Sequence, residues 1–252
     1  MSTRALLVAA LVALPACAAG AAEDEGESRD DAVSTCSGAC AARPTVRART
    51  VRDDAIVVDG AIDPAWSEAE PVTFATDWSG ASTATRTQVR ILRSDRALYM
   101  LWELEGAKLD VDTSRSTSVE RDKLYEEDCV EVFLAPDPEE NRRYFEIEVG
   151  PMGHYFDLVV DRRTKKSDVA WSSQAEIRTE VDRARGKATI ELALRSPDLV
   201  KALRPGATLP IGLYRIEGRS PRQYLAWSPT RSARPNFHVP DAFGTLVVDG
   251  RR

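Results

Sequence analysis

From residue 54 onward the sequence keeps a period of two. Short runs alternate apolar with polar residues, are rich in Val, Ile, Tyr and Phe, and are broken by turn formers. Successive side chains of an extended strand point to opposite faces, so such runs predict half-buried strands rather than helices. The pattern predicts strands near 55–58, 71–75, 86–93, 97–105, 129–135, 143–149, 154–160, 174–181, 186–194, 208–217, 223–227 and 243–248. Ser94-Asp95-Arg96 splits two of them, while Gly150-Pro151-Met152-Gly153 and Asp182-Arg183-Ala184-Arg185-Gly186 close hairpins. Two short helices are predicted, at 64–69 after Asp63 and at 197–203 after Ser196, each with a proline in its first turn. Many short strands with so little helix predict an all-β fold, an antiparallel β-sandwich of two sheets with one or two short helices. No repeat or break in composition divides 54–252, which reads as one domain.

The region before it reads differently. Residues 1–17 carry Arg4, then a short apolar run from Ala5 to Ala13, then Leu14-Pro15-Ala16-Cys17. The run is too short for a permanent membrane span and reads as an export signal. Its end resembles the bacterial lipobox, which implies acylation of Cys17; cleavage without acylation is the competing reading. Either way the mature chain is expected to leave the cytoplasm, anchored to a membrane of the cell envelope in the first case. Residues 18–53 read as a flexible, disordered tail or linker. Six acids and one arginine lie between Glu23 and Asp31, with no apolar periodicity. Within it Cys36 and Cys40 predict a short local disulfide in an oxidising compartment. Cys129, inside an apolar run, predicts a buried and inert thiol.

Charge narrows the partners. The 252-residue chain has a formal charge of −6, which argues against a nucleic-acid partner, because phosphate binding needs a basic face. Only two histidines, His154 and His238, are available, which excludes most His-rich metal sites. No nucleophile-elbow, zincin or Cys–His signature is present. Three polar stretches, 106–128, 161–173 and 228–242, are longer than turns require and are where a site is expected.

Five segments in order then resemble one family. Ile56-Val57-Val58-Asp59-Gly60-Ala61-Ile62-Asp63-Pro64-Ala65-Trp66 is similar to the opening of family 9 carbohydrate-binding modules. Ala97-Leu98-Tyr99-Met100-Leu101-Trp102 resembles the family's L-Y-V strand, and Glu127-Asp128-Cys129-Val130-Glu131-Val132-Phe133-Leu134 its D-x-V-E-x-F signature. The segment from Tyr144 to Gly153 follows in the matching place, and Pro240-Asp241-Ala242-Phe243-Gly244-Thr245-Leu246 resembles the closing P-x-x-F-G-x-L. The resemblance implies a DOMON-like β-sandwich that binds a polysaccharide or oligosaccharide without catalysis, ancillary to a glycan-degrading enzyme. It also implies a structural calcium. Acids of 106–128 are compatible with one, though a solvated acidic loop would look the same.

The resemblance further implies site residues. Sugar-binding members hold the ligand between two tryptophans, whose positions here are Tyr125 and Phe237, and contact it with a glutamate that matches Glu131. A sugar-contacting arginine falls on Glu146. Asn236 and His238 flank Phe237, and Trp171 borders a basic loop, so all three join the candidate contacts. An aromatic face suits the C–H face of a pyranose, while carboxylates and amides suit its hydroxyls. Three other functions compete. Glu131, Glu146 and Glu148 supply acids for a glycoside hydrolase. Met100, Met152, His154 and His238 supply ligands for a haem, as in distant sandwich relatives. A surface scaffold needs no small ligand.

Overall fold

A computed structural model describes residues 43–250. The predicted export signal with Cys17, and the predicted Cys36–Cys40 disulfide, lie outside the described residues. In chain order the strands are β1 (Thr45–Thr50), β2 (Val72–Thr76), β3 (Ser82–Arg93), β4 (Leu98–Glu105), β5 (Cys129–Leu134), β6 (Arg143–Val149) and β7 (Tyr155–Asp161). They continue as β8 (Lys166–Asp168), β9 (Glu176–Asp182), β10 (Lys187–Leu194), β11 (Thr208–Glu217), β12 (Gln223–Ala226) and β13 (Gly244–Val248). The single α-helix among the described residues, α1 (Pro197–Ala202), falls where proline and serine predict it, and short 3-10 helices span Pro64–Glu68, Leu124–Glu126 and Pro240–Ala242.

The strands form a β-sandwich. One layer runs β8-β7-β6-β5-β11-β13-β1, with β12 also on β11; the other runs β1-β3-β4-β10-β9, with β2 also on β3. Neighbouring strands are antiparallel except around β1, which lies parallel to both β13 and β3 and so joins the layers.

β1 corrects the linker boundary. The sequence pattern predicts a linker to residue 53, yet Thr45–Thr50 is a strand with Val46 and Ala48 buried. Its Arg and Thr residues hide a period-two pattern carried by two small apolar residues. Its partners stand about 40 and 200 positions away, as in Thr50↔Arg93 and Thr45↔Thr245, so no local signal announces the pairing. The predicted strand at 55–58 is absent for the converse reason. Ile56 and Val58 are buried, but the Val57 N–H donates to the Asp63 carboxylate at 2.8 Å instead of to a ladder. The three-residue β8, which pairs with β7, escaped the sequence reading because all its side chains are exposed.

The main core fills the space between the layers, with Val130, Val132, Ile147 and Leu213 facing Met100, Trp102, Ile190 and Leu192. Both outer faces are covered as well. Loop residues Leu124, Phe237 and Phe243 cover Phe133, Tyr144 and Tyr214 on the first layer. Ile56, Val58, Trp66 and Ala69 cover Tyr99, Leu101 and Ala193 on the second. These covers, not the shared core, decide where polar chemistry is trapped.

Candidate functional site

Alternation on β5 and β6 sets the site. Val130, Val132 and Leu134 point into the main core, which forces Cys129, Glu131 and Phe133 to the outer face. On β6 the same rule sends Phe145, Ile147 and Val149 inward and Tyr144, Glu146 and Glu148 outward. Strand register then brings the acids together: Glu131 is directly opposite Glu148 on β6 and Tyr214 on β11. Facing residues in such ladders have Cβ atoms roughly 4.5–5.5 Å apart, so the three acids form one patch.

Acids on one strand face are ordinarily solvated, but these are not. Glu131, Glu146 and Glu148 keep 3%, 5% and 2% of their surface. Two loops roof them. The segment 106–128 is fastened by Arg222, whose guanidinium donates to the carbonyls of Tyr125 and Glu127 at 2.5 and 2.7 Å, and by Arg121, paired with Glu127. Its backbone turns at Lys123, held in the left-handed region at φ 62° just before Tyr125. The segment 228–242 is fastened by Asn141, donating to the Pro240 carbonyl, and by His238, bonded to the Tyr144 hydroxyl at 2.7 Å. Gly212 makes room below: a Cβ there would stand 2.5 Å from the ring of Tyr214, which folds back over it.

Between the loops lies a cleft of about 170 Å³ whose walls include Tyr125, Glu131, Glu146, Asn236, Phe237 and His238. Six of the seven residues chosen from sequence therefore meet. The seventh, Trp171, does not. It stacks on Phe145 with ring centroids 4.5 Å apart, against the main core. Phe145 and Glu146 are neighbours on β6 and point to opposite faces, so a ring packed on one cannot reach the other.

The two aromatic walls also differ from their expected form. Tyr125 is open, with 47% of its surface exposed, but Phe237 keeps 6% and lies flat on Tyr214 at 4.2 Å. Phe237 thus contributes an edge and a floor rather than a free platform. Ile216, Pro235 and Tyr224 complete the lining. Tyr214 and Tyr224 went unnoticed in sequence because each reads as an ordinary strand aromatic, and only the register of β11 with β5 and β12 brings them here.

The electrostatics are unusual. Burial, reinforced by mutual repulsion, pushes the Glu131 carboxyl well up; burial first and Glu148 second do the same to Glu146. Burial pushes Glu148 up to about 8, while a hydrogen bond from the Tyr125 backbone holds it back. The Cys129 thiol, free and buried as the sequence predicts, lies 3.8 Å from Glu131 Oε1 and is itself pushed up by burial. Burial and then Arg162 push His238 down, so it is neutral near pH 7 and its 3.9 Å approach to Glu146 Oε2 is not an ion pair. Glu146 Oε2, Glu148 Oε2 and the Tyr214 hydroxyl have no hydrogen-bond partner. Buried polar atoms are nearly always satisfied, so three orphans in one patch call for an explanation.

A hydrolase works with acids whose environments push their pKa values apart, one held ionised and one protonated. Here all three move the same way, which suits hydrogen bonding better than acid–base chemistry. The haem reading finds no common pocket: Met100 lies in the main core and His154 is buried against the Arg115 carbonyl, away from the face that carries His238. Four acids of 106–128 that could have served calcium are engaged elsewhere. Asp110 pairs with Arg219, Asp112 and Glu127 with Arg121, and Asp128 accepts from the N–H groups of Asp110 and Gly218. Among the described residues no group of three or more His, Cys, Asp or Glu side chains suits a metal ion. A larger open groove of about 870 Å³ runs along 50–55 and 64–68, but no aromatic lines it, and its arginines already pair, Arg52 with Asp54 and Arg93 with Asp95.

Residues 58–251 match the profile of the family described as carbohydrate family 9 binding domain-like. The chain belongs to that family. Solved structures share its fold. A family 9 carbohydrate-binding module from Caldicellulosiruptor kristjanssonii in complex with glucose has TM-score 0.59 and 17% identity, over 83% of this chain and 97% of that one. The same source provides a family 9 module in complex with cellotriose, with TM-score 0.57 and 18% identity over 82% and 95%. A carbohydrate-binding protein assigned as such in Bacteroides uniformis on a provisional basis has TM-score 0.64 and 16% identity over 82% and 100%. No curated protein matches the chain. In this chain the outer β5–β6 face, with the acid patch, lies beneath the cleft.

Proposed function

We propose that this family 9 domain binds carbohydrate, a single sugar ring or chain end, in the cleft between 106–128 and 228–242. One observation carries the reading: Glu146, with a buried carboxyl oxygen that has no partner, shares a cleft with Glu131 and an open tyrosine ring. A sugar satisfies both, its hydroxyls meeting the acids and Asn236, and its C–H face meeting Tyr125. The cleft is smaller than the roughly 300–1,000 Å³ of drug-sized sites, which favours one ring over a long chain. The glucose and cellotriose complexes of the family 9 modules support the same class of ligand.

A glycan array followed by isothermal titration tests this. Tyr125→Ala and Glu131→Gln are each expected to weaken the bound glycan by about tenfold or more, the loss of about 1.4 kcal/mol, while the circular dichroism of the domain is unchanged. An array without a single bound glycan ends the proposal.

The wider setting belongs to the same proposal. The protein is exported, held in the cell envelope by a lipid on Cys17, and ancillary to polysaccharide breakdown by a partner enzyme. The short apolar run ending in Leu14-Pro15-Ala16-Cys17 supports the anchor. Labelled palmitate is expected in wild type and absent from Cys17→Ala; equal labelling of both refutes the anchor without touching the binding site.

A further inference from the structure

We propose that the cleft selects a cationic sugar, one whose ring carries a free ammonium as glucosamine does, with Glu146 receiving the ammonium and Glu148 and Glu131 supporting it. The inference rests on the reading that the cleft binds carbohydrate and goes on to name the class.

The argument starts from how this chain treats its other buried acids. Glu217 is paired with the fully buried Arg215. Glu191 accepts from the Trp66 indole and the Gly60 N–H, one donor for each oxygen. The Asp128 carboxylate accepts from two backbone N–H groups. Asp157, with one oxygen unpartnered, accepts from the Ser173 N–H and hydroxyl with the other. Each of these four acids thus has donors or a counter-charge inside the fold, as desolvated carboxylates require. The patch beneath the cleft differs in that its acids lie side by side, with Glu146 Oε2 and Glu148 Oε2 both unpartnered. It gathers three carboxyls, and no lysine or arginine lines the cleft. Arg222 comes near enough to act on Glu131, but its guanidinium donates to the carbonyls of Gly218, Tyr125 and Glu127. His238 is neutral, and the Tyr144 hydroxyl is engaged with its ring.

What is missing is therefore a positive charge rich in donors and without acceptors. An ammonium has that chemistry: three N–H donors and no lone pair to set against the acids. Glu146 lines the cleft, is nine-tenths buried, and carries an oxygen with no partner; Glu148 Oε2 and the Tyr214 hydroxyl are unpartnered alongside it. A neutral sugar offers hydroxyls, which can meet a carboxyl in either form. A cationic sugar draws the acids into the ionised form, so its binding releases protons to the solvent, one for each carboxyl that ionises.

The test is titration of the full chain with three oligosaccharides of equal length, built from glucosamine, N-acetylglucosamine and glucose, in two buffers of different ionisation enthalpy near pH 6.5. The glucosamine oligomer is expected to bind at least tenfold tighter than the other two and to release protons. Glu146→Gln, and independently Glu148→Gln, are expected to shrink both the preference and the release. Glucose or N-acetylglucosamine oligomers binding as tightly as the glucosamine oligomer would overturn the cationic reading and leave carbohydrate binding intact. A preference that survives both substitutions would overturn the assignment of the acids. Binding of none of the three, with a blank glycan array, would remove the carbohydrate reading and this inference with it.

Discussion

Glu191 on β10 and Glu146 on β6 occupy matching situations on opposite sides of the molecule. Each points outward from its layer, is almost fully buried, and lies under a cover of non-strand chain. Over the second layer the cover is the segment 51–69, which brings donors to Glu191: the Trp66 indole at 3.1 Å and the Gly60 N–H at 3.2 Å. Over the first layer two loops bury Glu131, Glu146 and Glu148 yet leave two carboxyl oxygens without donors. Burial of an acid is thus not itself a sign of function. A cover that satisfies the acid makes it part of the frame, and a cover that leaves clustered acids short of donors marks the candidate site.

The largest expected effect lies on the satisfied side. Trp66→Ala removes a fully buried ring and leaves Glu191 Oε1 without its donor, so unfolding free energy should fall by about 3–5 kcal/mol. Denaturant unfolding measures the loss, and glycan affinity of the folded fraction should not change. A loss below about 1 kcal/mol would mean that this cover does not stabilise the second layer.

Swapping each acid for its amide sharpens the contrast. Glu191→Gln turns an amide N–H₂ toward a donor that already pointed there, and should cost about 1–3 kcal/mol. Glu146→Gln, at an oxygen with no donor, should shift stability by no more than about 0.5 kcal/mol while changing binding. Equal costs at the two positions would erase the distinction between frame and site.

pH offers a smaller and more selective probe. Glu148 has an ordinary value of 4.5 and stands near 8 in the fold. Its contribution to stability is therefore complete below 4.5 and is lost as pH rises toward 8, because the folded state keeps a proton the unfolded chain has given up. His238 works in the opposite sense but only below its ordinary value of 6.5, where the unfolded chain gains a proton the fold resists. Above 6.5 the carboxyls act alone. The unfolding free energy should drop between pH 6.5 and 8, by up to about 1.4 kcal/mol per pH unit for each carboxyl, and the melting temperature with it. In Glu148→Gln the drop should be shallower; an unchanged slope would place the titrating group elsewhere.

Much of the fold was legible in sequence because period-two alternation is a local property. Eleven of the predicted runs contain or overlap strands, and proline with serine marked α1. The strand β1 was illegible, since its alternation rests on Val46 and Ala48 alone and its partners are remote. For the site, Tyr125, Glu131, Glu146, Asn236, Phe237 and His238 could be chosen by resemblance to a family whose order of motifs the chain follows. Trp171 misled because a tryptophan beside a basic loop looks available until its partner is known, and that partner is Phe145 on the inner face.

Local alternation by itself determined which side chains of β5 and β6 leave the main core: with Val130, Val132, Phe145 and Ile147 inward, Glu131, Glu146 and Glu148 have no other face to take. Whether those acids would be solvated, paired or starved of donors was decided only by tertiary structure. Register across β5, β6 and β11 set them beside one another and beside Tyr214, and loops distant in sequence excluded water from above. The physical reason is range. A strand's two faces follow from the geometry of one residue after the next, whereas the desolvation of a carboxyl depends on every group that comes to lie around it.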